Sequence, residues 1–111
     1  MTPRGFEPGA PVLLYLHSPR EKVFGVLVSL QPGGVAVRGI ELAAFEDWLR
    51  QEARGEQGIG LVTLFYPMNR VERVEKDETV GGFEGIADRF RRATGRSVLE
   101  AAGLSSRRTR R

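Results

Sequence analysis

Val23-Phe24-Gly25-Val26-Leu27-Val28-Ser29-Leu30, Gln31-Pro32-Gly33-Gly34 and Val35-Ala36-Val37-Arg38-Gly39-Ile40 follow one another, and their reading decides the fold. Two runs rich in β-branched residues flank a Pro-Gly pair, the pattern of a β-hairpin. Pro32 presets a negative φ and Gly33 tolerates a positive one, so the spacing predicts a type II turn. Gly25 falls inside the first run and Gly39 near the end of the second. Glycine in a strand interior marks a bulge, a bend or a close backbone approach. In a small barrel the bend is the expected reason, because closure makes a strand curl. Arg38 reads as an outward residue.

The flanks supply what would close this hairpin. Val12–His17 is apolar on both faces until its end, which predicts a first strand covered on two sides. Ser18–Lys22 is a polar turn in which Pro19 bars continuation of a ladder. Leu42, Phe45, Trp48 and Leu49 recur at helical spacing, so 42–53 reads as an inserted amphipathic helix with Gly55 just past its end. Its apolar face is expected on the barrel's open end. Leu61–Tyr66 and Val71–Glu75 are a fourth and a fifth strand, joined by the tight Pro67-Met68-Asn69-Arg70. Phe83, Ile86, Ala87, Phe90 and Ala93 form a second helical stripe that ends at Gly95. Ser97 and Glu100 have the spacing of a capping box, opening a short helix to about Leu104.

The resulting division is a flexible leader over 1–11, a small β-barrel over 12–77 containing the helix 42–53, a helical extension over 83–104, and a basic, disordered tail over 105–111. The expected fold class is mainly β, a five-stranded small barrel with an inserted amphipathic helix and C-terminal helices.

Composition narrows the function classes. The 111 residues contain no cysteine, which removes disulfides, thiolate metal sites and cysteine nucleophiles. The first ten residues have no apolar signal region, and no apolar run approaches the roughly 20 residues that cross a bilayer. A cytoplasmic location without a membrane partner is the expectation. The net charge of +3 conceals an asymmetry. Residues 1–82 hold 9 Lys+Arg against 11 Asp+Glu, whereas 83–111 hold 8 Arg against 3 Asp+Glu. The predicted barrel is faintly acidic and the C-terminal part strongly basic.

Gly25-Val26-Leu27 resembles the Gly-x-Leu of the second strand of Sm-like (LSm) proteins, the family that includes the bacterial RNA chaperone Hfq. Leu64-Phe65-Tyr66-Pro67-Met68-Asn69-Arg70-Val71 resembles the strand, short turn and strand of that family's second motif. The resemblance covers roughly 12–75 and implies an SH3-like, Sm-like barrel, as in bacterial proteins of this small-barrel type for which no function follows. It also implies a homo-oligomer in which strands 61–66 and 71–75 pair between subunits, and a pore-lining position for Asn69 and Arg70, where Arg70 would meet a phosphate of RNA or another polyanion. The departures are specific. Pro32-Gly33-Gly34 stands where the family places an Asp and a base-contacting Asn. Pro67-Met68 stands where Hfq carries Lys-His, and a Pro-rich leader replaces the family's opening helix.

The site candidates divide between two functions. For nucleic acid they are Asn69, Arg70 and the tail residues Arg107, Arg108, Arg110 and Arg111, whose charge binds polyanions through counterion release. For protein interaction they are Phe45 and Trp48, on a groove between the inserted helix and the barrel, with the basic tail finding an acidic partner. Each candidate has a plainer reading. Asn69 shapes a turn where it tolerates a left-handed conformation, Arg70 pairs with a nearby carboxylate, and the tail serves solubility. Phe24, Phe65 and Tyr66 could stack on bases, but core packing explains large apolar residues on strands. His17, the single histidine, lacks a surrounding Ser/Asp pattern. Glu72, Glu75, Asp77 and Glu78 are interleaved with Arg73 and Lys76, the pattern of a solvated edge strand rather than a metal site. No catalytic residue, metal or cofactor is expected. The function expected first is a non-enzymatic binding or scaffold module with weak affinity for RNA, the alternative being a protein-interaction or regulatory module.

Overall fold

The computed structural model describes residues 3–104. The strands are β1 (Pro11–Leu16), β2 (Glu21–Gln31), β3 (Gly34–Glu41), β4 (Val62–Pro67) and β5 (Val71–Lys76). The helices are α1 (Phe45–Ala53), α2 (Ile86–Thr94) and α3 (Val98–Ala101). The strands form one antiparallel sheet in the order β4-β3-β2-β1-β5. The architecture is therefore mixed α/β, an open five-stranded antiparallel sheet with helices, and not the closed, mainly β barrel expected. The reason is how the last two strands are used. β5 takes the free side of β1 and β4 the free side of β3, and no ladder joins β4 to β5 among the described residues. A single 3-10 turn, Met68–Arg70, links the two edges. His17 N–H bonds to the Arg70 carbonyl at 3.0 Å, which commits the chain to β1 as β5 begins.

The sheet buries both of its faces. Val12, Leu14, Leu16, Val23, Leu27, Val35 and Val37 form an inner cluster, over which Leu64 and Tyr66 of β4 and Val71 and Val74 of β5 fold from the two edges. Phe6 and Ala10 pack there too, and residues 9–10 exchange two 2.8 Å backbone bonds with Leu27. Phe24, Val26 and Ile40 face the other way and meet the helices. This explains why Val23–Leu27 is buried without a break, as expected of a strand covered on two faces. Gly25 and Gly39 are direct partners in this ribbon. A Cβ on Gly25 would stand 2.8 Å from the Arg38 carbonyl oxygen and 3.0 Å from the Gly39 Cα, so close backbone approach requires the glycine.

The helices lie on the outer face of the sheet rather than over an open end. A 3-10 turn, Leu42–Ala44, leads into α1, which buries Phe45, Trp48 and Leu49. Trp48 stacks on Phe90 of α2 at 4.6 Å between ring centroids, and Phe45 meets Phe24 edge-on at 5.8 Å. The α1–α2 contact is laced by ion pairs on either side of that stack: Arg89 with Glu46, and Arg96 with Glu52 at 2.6 Å. The acidic and basic parts of the sequence thus meet within one chain. The Arg89 guanidinium holds the Glu46 carboxyl below its ordinary range, and Arg92 does the same to Glu84.

Three local expectations need correction. The loop between β2 and β3 is the two-residue Pro32-Gly33, but Gly33 is not among the residues with positive φ, so the turn is not type II. Asn69 lies in the 3-10 turn without a left-handed conformation. Helix α2 starts at Ile86, three residues after Phe83, because Val80 and Phe83 instead close a small turn through reciprocal backbone bonds of 3.0 Å. The capping box on Ser97 is formed, though α3 ends at Ala101. Among the described residues no helix is long and apolar enough to cross a membrane.

Candidate functional site

Most of the residues singled out from sequence are used by the fold itself. Arg70 donates from Nε to the His17 carbonyl at 3.0 Å and from Nη2 to the Pro19 carbonyl at 2.8 Å. The same nitrogen lies 3.4 Å from Glu21 Oε1, and the guanidinium stands 5.7 Å from the Tyr66 ring centroid. Arg70 is a clamp between the start of β5 and the β1–β2 turn, and its fork is committed there. Asn69 beside it is exposed. Burial, and then the Glu21 carboxylate, push the Tyr66 hydroxyl above its ordinary pKa, with Arg70 acting the other way.

Phe45 and Trp48 are 2% and 1% exposed. They fill the space between α1 and the sheet, so no groove is left there for them to line. Arg107, Arg108, Arg110 and Arg111 lie outside the described residues. The Arg-rich α2 is not a phosphate cluster either: Arg89 and Arg92 are paired with Glu46 and Glu84, and Arg96 beyond its end with Glu52. His17 is exposed, with Nδ1 3.1 Å from Ser18 Oγ, and no carboxylate is recorded against its ring. Among the described residues no group of three metal-ligating side chains forms a site.

Asp77, one of the four candidate acidic residues, has a different task. It is buried, and its two carboxylate oxygens accept from Ile86 N–H and Ala87 N–H at 2.8 Å each. Its own N–H donates to the Pro11 carbonyl at 2.9 Å. Thr79 Oγ1 accepts from Gly85 N–H at 2.9 Å and donates to Asp88. Asp77 and Thr79 together satisfy the first amides of α2, which a helix cannot satisfy internally. The cap comes from six to ten residues upstream, beyond the reach of the local cap signatures that locate helix starts in sequence.

The fold also leaves large apolar side chains exposed. Phe65 is 62% exposed and Val62 53% exposed, both on β4. Phe65 is not core, while its neighbour Tyr66 turns inward and Phe24 is fully buried. Its ring lies across Gly34, where a Cβ would stand 2.5 Å from the Tyr66 carbonyl oxygen and would also strike the Phe65 ring. Gly34 lets β4 sit this close to β3.

The backbone of β4 has an open side. Met68 N–H donates to the Gly33 carbonyl at 3.1 Å, and Gly34 is opposite Pro67. In an antiparallel ladder bonded and non-bonded pairs alternate. The bonded pairs with β3 are then Val35/Tyr66, Val37/Leu64 and Gly39/Val62. The N–H and C=O groups of Thr63 and Phe65 face away from β3, as does the ring nitrogen of Pro67, which has no hydrogen to leave unpaired.

Charge separates the two edges. Gln57–Asn69 is thirteen residues without one charged side chain. On β5, Glu72, Arg73, Glu75 and Lys76 leave only Val71 and Val74 uncharged. Charged side chains on an edge strand discourage pairing with another chain. β5 has that protection and β4 has only Pro67. A second apolar feature, the turn carrying Val80 and Phe83, is exposed at 61% and 84%. Comparison with protein-family models, with curated proteins and with solved structures finds no match to this chain.

Proposed function

We propose that this chain is a non-enzymatic binding or scaffold module of the Sm-like small-barrel type, left open, which engages protein by adding a strand to β4. The observation that carries the reading is the uncharged edge. Thr63 and Phe65 present four backbone groups toward solvent, flanked by the exposed side chains of Val62 and Phe65. Main-chain hydrogen bonds give such strand addition its affinity, and alternate side chains give it specificity. Pairing of 61–66 with 71–75 between subunits, which the family resemblance implies, is one way to fill the same edge. Binding of RNA or another polyanion rests on Arg107, Arg108, Arg110 and Arg111, since Arg70 is engaged in the fold.

The test is photo-cross-linking in living cells with a benzophenone amino acid at position 65 and, as control, at Ala53 on the helical side. The reading expects adducts at 65, to this chain or another protein, that disappear when Thr63→Pro removes one edge N–H. No adduct at 65, or equal adducts at 65 and 53, overturns it.

A further inference from the structure

We infer that the strand added to β4 is β4 of a second copy, so that the chain forms a two-fold dimer with one continuous ten-stranded sheet. This rests on the reading of β4 as a docking edge, and it names the partner.

The first argument is charge. The occupant of this edge must lie alongside the six residues of β4, which sit inside an uncharged run of thirteen. β5 of another copy would bring Glu72, Arg73, Glu75 and Lys76 next to Val62 and Phe65. β4 of another copy brings Val62-Thr63-Leu64-Phe65-Tyr66-Pro67, with no charged side chain on the strand itself; the nearest charge is the Arg38 guanidinium of β3, which donates to Thr63 Oγ1 at 3.3 Å.

The second argument is register. Two identical strands pair antiparallel about a two-fold axis, and side chains opposite each other must belong to the same face. That condition puts the axis through a residue. Centred on Phe65, the pairing sets Thr63 against Pro67, whose missing N–H leaves the Thr63 carbonyl unmet. Centred on Thr63, it sets Phe65 against Leu61, which precedes the strand and is buried. Centred on Leu64, it sets Thr63 against Phe65 of the second copy, and the reverse. All four open backbone groups are then paired, in four hydrogen bonds. Val62 comes opposite Tyr66, and Leu64 meets its own copy on the axis.

A six-residue edge is short beside the roughly 800 Å² per partner of a standard stable interface. The dimer is therefore expected to dissociate on dilution.

The test uses sedimentation velocity of the full chain across a hundredfold range of concentration, with a cross-link that reads the register. The chain has no cysteine, so a single introduced cysteine can form only an intermolecular disulfide. A non-bonded antiparallel pair has Cα atoms about 4.5 Å apart, within disulfide reach. Leu64→Cys is expected to cross-link under mild oxidation and Val62→Cys to stay reduced. The wild type is expected to pass from monomer to dimer, and Thr63→Pro and Phe65→Lys to remain folded monomers by circular dichroism. A monomer throughout, with no effect of concentration on the Thr63 and Phe65 amides, overturns the second copy as partner. Adducts at position 65 in cells would in that case still hold for the edge itself. A closed oligomer larger than two, or a Val62→Cys cross-link as efficient as that of Leu64→Cys, overturns the two-fold register.

Discussion

Asp77→Ala isolates the tie between sheet and helices. The carboxylate takes Ile86 N–H and Ala87 N–H at 2.8 Å each, in a buried position at the end of β5. The substitution leaves two of the four N-terminal amides of α2 without a partner and removes a negative charge from the positive end of the helix dipole. A lost cap costs about 1 kcal/mol and up to about 2, while a hydrogen bond to a charged group contributes about 1.5–3. The two bonds share one carboxylate and α2 can fray by a turn, so the expected loss is roughly 2–3 kcal/mol, less than the simple sum of two such bonds. For a domain of this size that lowers Tm by roughly 10–20 °C. Asp77→Asn keeps one acceptor and is expected to lose about half as much. Urea unfolding followed by tryptophan fluorescence reads this directly, because the single Trp48 stacks on Phe90 of α2. A loss below about 0.5 kcal/mol, the level of an ordinary surface change, would refute the capping role.

Trp48→Ala empties the centre of the helix–sheet layer and is expected to cost about 3–5 kcal/mol, measured by chemical unfolding. Gly34→Ala drives a methyl into the Tyr66 carbonyl and the Phe65 ring. It is expected to destabilise by about 1–3 kcal/mol, and amide exchange should show β4 loosened more than β5. Acid should weaken the α1–α2 seam at the Glu46–Arg89 pair, and the Glu84–Arg92 pair that ties α2 to the loop before it. The Glu46 and Glu84 carboxyls are lowered in the folded chain relative to the ordinary 4.5. Their stabilisation is complete above that value and is lost as pH falls through the lowered folded values. Glu46→Gln should therefore flatten the acid limb of a plot of unfolding midpoint against pH. Deleting residues 105–111 should abolish binding of a fluorescent RNA oligomer, and the full chain should lose that binding steeply with added salt.

The strands and helices were legible because their periodicities are strong. Val23–Ile40 carries its two runs in the open, and Leu42, Phe45, Trp48 and Leu49 announce a helix. Closure was not legible, because strands meant for a barrel and strands meant for an open, doubly covered sheet carry the same apolar pattern. The decision lies in whether β4 and β5 pair with each other, and among the described residues no ladder joins them. Phe83 joined the α2 stripe by spacing alone, although a Gly81-Gly82 pair before it pulls the chain into a turn. The site is legible only in part for a related reason: the plainer reading of Arg70, a pair with a nearby carboxylate, holds in its 3.4 Å approach to Glu21. Arg70, Phe45 and Trp48 stand out by chemistry, and chemistry is also what a fold uses to hold itself. The uncharged run Gln57–Asn69 was visible in the sequence, but its meaning depends on β4 being an edge, which only the sheet order reveals.

Residue-resolved amide exchange of the full chain, at low and at high protein concentration, tests the open β4 edge most directly. At low concentration the amides of Thr63 and Phe65 should exchange fast while those of Val62, Leu64 and Tyr66, bonded to β3, exchange slowly. At high concentration Thr63 and Phe65 should become protected together. Slow exchange at Thr63 and Phe65 in dilute solution would mean that the edge is already covered within one chain, and fast exchange at every concentration would mean that a second copy does not cover it.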